Sequence, residues 1–411
     1  MTISQQLDLA TEKHQRGQLA EAEAAYRQIL AVEPQNARAL HFMGIILHQR
    51  GNSAAGIELI RRAIQIDPHS ADFYSNLGVV LTDSGHFDDG LRSYQHAVNL
   101  APADPLYHWN LAINLLLNGE FRQGWEEFEW RLRVPGRNLN RDFPKPQWNG
   151  SDLTGKTILL HAEGGFGDAL QFIRYLPNVS QRGGQIILEC QPELVRLFTP
   201  LQGISTIIRR SDALPHFDFH LPLQSLPRVF QTTLENIPTS VPYLTASQDS
   251  AQYWKERLAS DPGPKIGLAW AGSNTTGGRR SNSLEIFAPL ADVANTRFYS
   301  LQKGPESKQP VPHGLSIADY TDQLCDFANL SGFIENLDLV ISVDTSVAHL
   351  AGAMAKPIWT LIPFVPDFRW LRDRSDSPWY PTMRLYRQEK GENWTTLVAR
   401  IAQALAAHFK Q

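Results

Sequence analysis

The chain predicts an α plus α/β protein, a helical solenoid followed by two parallel-sheet halves. Three observations carry that expectation. Over the first 136 residues glycine and proline recur at intervals of 34. From residue 157 onward, short β-branched runs alternate with helical patterns, as in parallel α/β units. Between the two regions lies NLNRDFPKPQWNG (138–150), whose Pro and Asn content marks a connector. At 411 residues the chain exceeds one typical domain. We expect a solenoid over 1–136, an α/β domain over 137–247 and a second over 248–411.

In the first region Gly17, Gly51, Gly85 and Gly119 share one register, as do Pro34, Pro68 and Pro102. The same period aligns Ala10, Gly44, Gly78 and Ala112, then Ala22, Gly56, Gly90 and Gly124, then Tyr26, Ile60, Tyr94 and Phe128. Several independent columns with one period mark a repeat architecture. Each unit reads as two helices, with small residues where they cross, a large apolar residue in the gap and Pro after the second. The pattern resembles the tetratricopeptide repeat. A fourth copy departs from it, with Arg131 where Ala63 and Ala97 stand and Gly136 where the prolines stand. GWEEFEWRLR (124–133) there carries two tryptophans, expected to dock the array onto the next domain. The first helices of such repeats line a concave groove. Asn76 and Asn110 fall on them, and their amides can hold an extended peptide by its backbone. Hydrogen bonding between helices is the competing reading. Trp109 and Tyr74 read as packing residues.

The second region supplies strand-like runs TILLHAEG (157–164), QIILEC (185–190), STIIRR (205–210) and DFHLPL (218–223) for a first sheet. After VPYLTAS (241–247) and a helix around Tyr253–Leu258 come KIGLAWAG (265–272), RFYSLQKG (297–304), LDLVISV (337–343), PIWTLIP (357–363) and MRLYRQ (383–388). Two Rossmann-like halves with a cleft between them follow. Ligands in such sheets bind beyond the carboxyl ends of strands, so the loops at Gly164, Gly272 and Asp344 are expected to face one cleft.

Three segments carry candidate chemistry. In LDLVISVDTSVAHLAGAMAKP (337–357) a buried strand turns into a small-residue helix at Asp344, Thr345 and Ser346. Free amides and the positive helix end suit a diphosphate there, with His349 one turn in. An ordinary N-capped turn explains the same residues. In GGFGDALQF (164–172) glycines permit close backbone approach, and Asp168 can take a proton from an attacking hydroxyl. Helix capping is the alternative for Asp168; Gly165, Phe166 and Gln171 are acceptor-side candidates. In WAGSNTTGGRRSNSLEIFAPL (270–290), Arg279 and Arg280 suit a diphosphate, and Ser273, Asn274 and Ser283 join them on the donor side. Gln302 and Lys303, ending the next strand, complete that set; a solvated basic loop and a surface lysine are the plain readings.

Composition narrows the classes. Lys plus Arg number 38 against 42 Asp plus Glu, a net charge of −4, which argues against binding nucleic acid through bulk electrostatics. Hydrophobic content of 42% and charged content of 19% describe an ordinary globular chain. Cys190 and Cys325 lie in apolar contexts without metal-ligand spacing and read as buried thiols of a reducing compartment. Neither a signal peptide nor an apolar run of about 18 residues is visible, so a cytoplasmic location is expected.

The repeats, the Pro146, Trp148, Gly150 connector, GDALQF, RSNSLEIFAPL, SVDTSVAHLAGAMAKP and PDFRWL…DSPWYPTMRLYRQ resemble bacterial tetratricopeptide-repeat glycosyltransferases related to lipopolysaccharide heptosyltransferases. The resemblance spans nearly the whole chain. It implies a GT-B fold of two Rossmann-like domains, with a nucleotide sugar held mainly by the C-terminal one. It matches Asp168 to the acid/base position and Asp344, Thr345, Ser346 and His349 to the donor-phosphate loop. EGGFGD departs from the Gln-Gly-Leu-Gly-Asp of many relatives. The implied reaction is inverting transfer from a nucleotide-diphosphate sugar to a hydroxyl, on a protein if the repeats bind the acceptor. No Asp-x-Asp motif is visible, so neither metal nor cofactor is expected. A nucleotide-binding scaffold and a nucleotide-sugar epimerase are the rival readings, and self-association through the solenoid stays open.

Overall fold

The computed structural model describes residues 1–272 and 282–409. The chain divides into two compact units, Met1–Asn138 and Leu139–Gln411. The first is built from α1 (Ile3–Gln15), α2 (Leu19–Val32), α3 (Ala37–Gln49), α4 (Ser53–Ile66), α5 (Ala71–Asp83), α6 (Phe87–Leu100), α7 (Pro105–Leu117) and α8 (Phe121–Phe128). Helix starts recur with the 34-residue period of the sequence. Gly17, Gly51, Gly85 and Gly119 each have φ between +75° and +87°, the left-handed conformation that ends one helix and turns the chain into the next. Asn36, Asn52 and Asp104 cap α3, α4 and α7 by accepting from backbone amides. Tyr26, Ile60, Tyr94 and Phe128 are all buried, filling the gap between paired helices as their shared register predicts. Gly44 and Gly56 let α3 and α4 touch backbone to backbone: a Cβ on Gly44 would stand 2.7 Å from the Gly56 carbonyl oxygen.

The fourth repeat closes differently. Its second helix stops at Phe128 and tightens into a 3₁₀ turn, Glu129–Leu132. Arg131 is 1% exposed, pairs with Glu129 at 2.7 Å and donates to the Phe128 carbonyl. The two tryptophans have ring partners inside the array: Trp125 meets Phe121 and Phe128 edge-on, and Trp130 stacks on His108 at 3.9 Å.

The second unit holds two wholly parallel sheets. The first orders its strands β3-β2-β1-β4, from β1 (Thr157–His161), β2 (Gln185–Cys190), β3 (Ile204–Arg209) and β4 (Phe219–Pro222). The second orders them β10-β9-β8-β5-β6-β7, from β5 (Lys265–Ala269), β6 (Arg297–Ser300), β7 (Ile317–Asp319), β8 (Leu339–Val343), β9 (Ile358–Ile362) and β10 (Met383–Arg387). Around the first sheet lie α9 (Phe166–Phe172), α10 (Leu176–Ser180), α11 (Pro192–Phe198) and α12 (Leu226–Val229). With the second go α13 (Gln248–Arg257), α14 (Phe327–Glu335), α15 (Ser346–Ala353) and α16 (Trp394–His408). Central β8 and β9 are buried throughout, as strands covered on both faces must be. One face packs Trp270, Phe287, Ile341, Leu361 and Ile401 into a common core.

In each sheet the direction of winding reverses once, beside β1 in the first and between β5 and β8 in the second. Ligands of open parallel sheets gather at such switch points. The connector adds to the first sheet: Gln147 bridges His220, and the buried Trp148 donates its amide to the His220 carbonyl at 2.9 Å. Two sequence expectations are corrected. Cys190 is buried but Cys325 is exposed. The edge strand β7 went unforeseen because three residues, none of them buried, carry no hydrophobic period.

Candidate functional site

β1 leaves the first sheet as a buried strand, and two glycines follow before α9 begins. Asp168 is the third residue of α9. Its Oδ2 accepts the Gly165 amide at 2.8 Å, the capping role the sequence left open, while a quarter of its side chain stays exposed. Capping therefore leaves the carboxylate accessible. Its Oδ1 accepts from the Arg369 guanidinium.

Arg369 ties the two sheets together. It is 6% exposed, yet its Nε donates to Gln171 Oε1 at 2.7 Å and its Nη1 to Asp367 Oδ1 at 2.8 Å. Burial alone would lower its pKa, but the carboxylates of Asp367, Asp168 and Asp344 outweigh burial and hold it above the usual guanidinium value. Gln171, an acceptor-side candidate, is fully buried and turns its oxygen to this arginine.

On the other side β8 delivers Asp344, Thr345 and Ser346 to the start of α15. Thr345 and Ser346 are half-buried and Asp344 is 4% exposed. The Thr345 hydroxyl pairs with Ser342 at 3.0 Å and does not cap α15. His349 is buried: Nδ1 pairs with the Tyr380 hydroxyl at 2.8 Å, Nε2 lies 3.8 Å from Asp344, and the ring stacks on Trp370. Its edge rests on α9, where a Cβ at Gly167 would stand 2.8 Å from His349 Cδ2. Only a glycine lets the two helices meet this closely. Deeper in the joint, Arg174 donates to the carbonyls of Gln171 and Trp379 and to the Tyr243 hydroxyl. Phe166 packs on Phe327 of α14, with ring centres 4.9 Å apart.

The remaining candidates are more dispersed. Gln302 is buried and fully engaged: its oxygen accepts the amides of Trp270 and Ala271, and its nitrogen donates to two carbonyls, shaping the exit of β5. Lys303 donates to the Thr321 carbonyl at 2.7 Å. Ser283 caps a 3₁₀ segment through the Glu285 amide, and Gly165 is exposed. Ser273, Asn274, Arg279 and Arg280 lie outside the described residues. Asn76 pairs with His41 of α3 at 3.1 Å, and Asn110 donates to Ser75 of α5 at 3.2 Å. Both amides thus link neighbouring repeats, as the competing reading had it. Among the described residues no group of three His, Cys, Asp or Glu side chains converges on a metal position.

Sequence reasoning missed Arg369, Arg174, Tyr243 and Tyr380. Arg369 and Tyr380 lie in the PDFRWL…DSPWYPTMRLYRQ segment, Arg174 beside Phe172 and Tyr175, and Tyr243 in VPYLTAS, and nothing local marks the partner of any of them.

Comparison with known proteins agrees with the repeats. A tetratricopeptide-repeat family model matches residues 7–71. Protein FlbA of Caulobacter vibrioides is 26% identical over 310 residues, covering 68% of this chain and 52% of FlbA. The chain spans about half the length of that relative. Among solved structures, a mutant O-GlcNAc transferase of Thermobaculum terrenum is 14% identical, with 99% of this chain and 92% of that one covered at a TM-score of 0.35. PilF of Pseudomonas aeruginosa is 22% identical over 33% of this chain and 63% of its own, at a TM-score of 0.31. The N-terminal helices are a tetratricopeptide-repeat array, followed by a parallel-sheet α/β region.

Proposed function

We propose that the second unit is a GT-B glycosyltransferase of two Rossmann-like domains. In this reading it passes a sugar from a nucleotide diphosphate to an acceptor hydroxyl, with inversion. One observation carries the proposal: the partly exposed carboxylate of Asp168 at the β1 switch point pairs with Arg369, whose charge also acts on Asp344 at the approach to the uncapped start of α15 at the β8 switch point. In that arrangement the acceptor oxygen gives its proton to Asp168 as it bonds to the anomeric carbon. The bond from that carbon to the diphosphate breaks, and its electron pair leaves with the diphosphate oxygen. A positioned base of this kind contributes roughly 10²–10⁴ in rate. The leaving charge would be met by the first amides of α15, the hydroxyls of Thr345 and Ser346, and the cations Arg280 and Lys303, with no metal required. The tetratricopeptide array makes a protein the favoured acceptor.

The test is to follow nucleoside diphosphate release from UDP-, GDP-, ADP- and CDP-linked sugars. Asp168→Asn should cut turnover by about 10²-fold or more while nucleotide binding persists. Excess EDTA should leave the rate unchanged. Full turnover by Asp168→Asn would remove it as the base, and a strict Mg²⁺ or Mn²⁺ requirement would overturn metal independence.

A further inference from the structure

Gln171 lies one turn after Asp168 on α9, and both side chains meet Arg369. The Gln171 side chain is fully buried, yet its Nε2 makes no hydrogen bond among the described residues. An unsatisfied buried N–H is costly, and an apolar side chain of similar shape would avoid it. What the glutamine supplies is its oxygen. Arg369 Nε can only donate, so its 2.7 Å bond fixes Oε1 as the acceptor and leaves the NH2 group as the unsatisfied end.

The guanidinium is thereby held at three points. Nε meets Gln171, Nη1 meets Asp367 at 2.8 Å, and Nη2 meets Asp168 Oδ1. Because the group is planar, the first two bonds set the direction of the third. The Gly165 amide holds Asp168 Oδ2 at 2.8 Å. Each carboxylate oxygen thus has a fixed donor, and the exposed quarter of the side chain is presented in one orientation.

We propose that Gln171 and Arg369 are positioning residues of the transferase site: Gln171 orients Arg369, and Arg369 orients Asp168 and keeps its carboxylate ionised. The inference rests on Asp168 being the base. Charge and direction are separable here. The charge of Arg369 favours the carboxylate over the acid, so the base stays ready to accept a proton as pH falls. Its direction places the accepting oxygen, which must come within hydrogen-bond reach of the attacking hydroxyl. Gln171 is neutral and serves direction alone. Being fully buried, it acts through Arg369 in place of the acceptor contact expected from the sequence.

The test compares Arg369→Lys, Arg369→Met, Gln171→Met and Asp168→Asn in the full chain across pH. Probes are the four classes of nucleotide sugar, with glycerol and a serine- and threonine-bearing peptide as acceptors. Calorimetric binding of nucleoside diphosphate establishes which variants are folded. Arg369→Lys keeps the charge without the fork, and Gln171→Met removes only the acceptor on Nε. Both should lower kcat by about tenfold or more, with donor KM and the acidic limb of the pH–rate profile unmoved. Arg369→Met loses charge and direction together, so its acidic limb should also move up by about one unit. A purely structural role would lower denaturation midpoints and leave kcat and the limb of folded protein in place. An inactive Asp168→Asn together with wild-type kcat in folded Arg369→Lys and Gln171→Met overturns the positioning role alone. Should Arg369→Met fail to fold, those two variants decide the matter. A fully active Asp168→Asn, or no turnover of any donor by the wild type, overturns the reading of the site and this inference with it.

Discussion

Arg369 shows what one side chain decides. Its planar fork serves Gln171, Asp367 and Asp168 from a buried position, a task that a point-like ammonium cannot divide in the same way. Removing it leaves carboxylates gathered without a counter-charge, a loss typically of about 3–5 kcal/mol. Arg369→Met should therefore lower the denaturant midpoint of the second unit more than Arg369→Lys does. Equal midpoints for both variants and the wild type would show the ion pairs to be structurally idle. Asp168 was legible beforehand, since a carboxylate just inside a glycine-led helix start is a local pattern. Its partner was not: Arg369 lies 201 residues away, in PDFRWL, a segment that marks the resemblance but carries no sign of what its arginine faces.

At the scale of elements, the repeat helices were readable because period, turn glycine and trailing proline all act locally. One consequence concerns the packing of α3 on α5. His41 is sandwiched between Phe42 and Phe73, and its Nε2 accepts from the Asn76 amide, a bond only the neutral ring can make. Burial pushes its pKa down to about 4 from 6.5, with Asp72 partly opposing that. Unfolded chains bind this proton first as pH falls below about 6.5, so the array is fully stable above that pH and loses stability towards pH 4. The loss from this group is at most about 3 kcal/mol. His41→Gln keeps a hydrogen-bonding side chain without the titration, so its urea midpoint should fall less steeply between pH 6.5 and 4. A slope identical to the wild type would exclude His41 as the source. Strands were legible wherever both faces are covered, as in β8 and β9, and were missed at β7, where edge exposure erases the pattern.

For the whole molecule, the two units invite a separation of roles. If the array recruits a protein acceptor, a chain lacking residues 1–136 should lose transfer to protein while slowly hydrolysing the nucleotide sugar. Its fold is checked by nucleoside diphosphate binding. Undiminished protein transfer by that truncated chain would refute recruitment by the repeats. Within the second unit the contacts between the two sheets' layers include Arg369 on Asp168, His349 on Gly167, Arg174 on the Trp379 carbonyl, Phe166 on Phe327 and Arg196 on Asp326.

The sequence by itself determined the repeat array, the positions along the chain of all strands but one, and the loops at Gly164 and Asp344, because each depends on spacing over a few residues. Only the tertiary structure decided that α9 and α15 touch, and that Arg369 pairs with Asp168 while its charge acts on Asp344. Those contacts arise from how two sheets dock, and local periodicity holds no record of a partner some two hundred residues away.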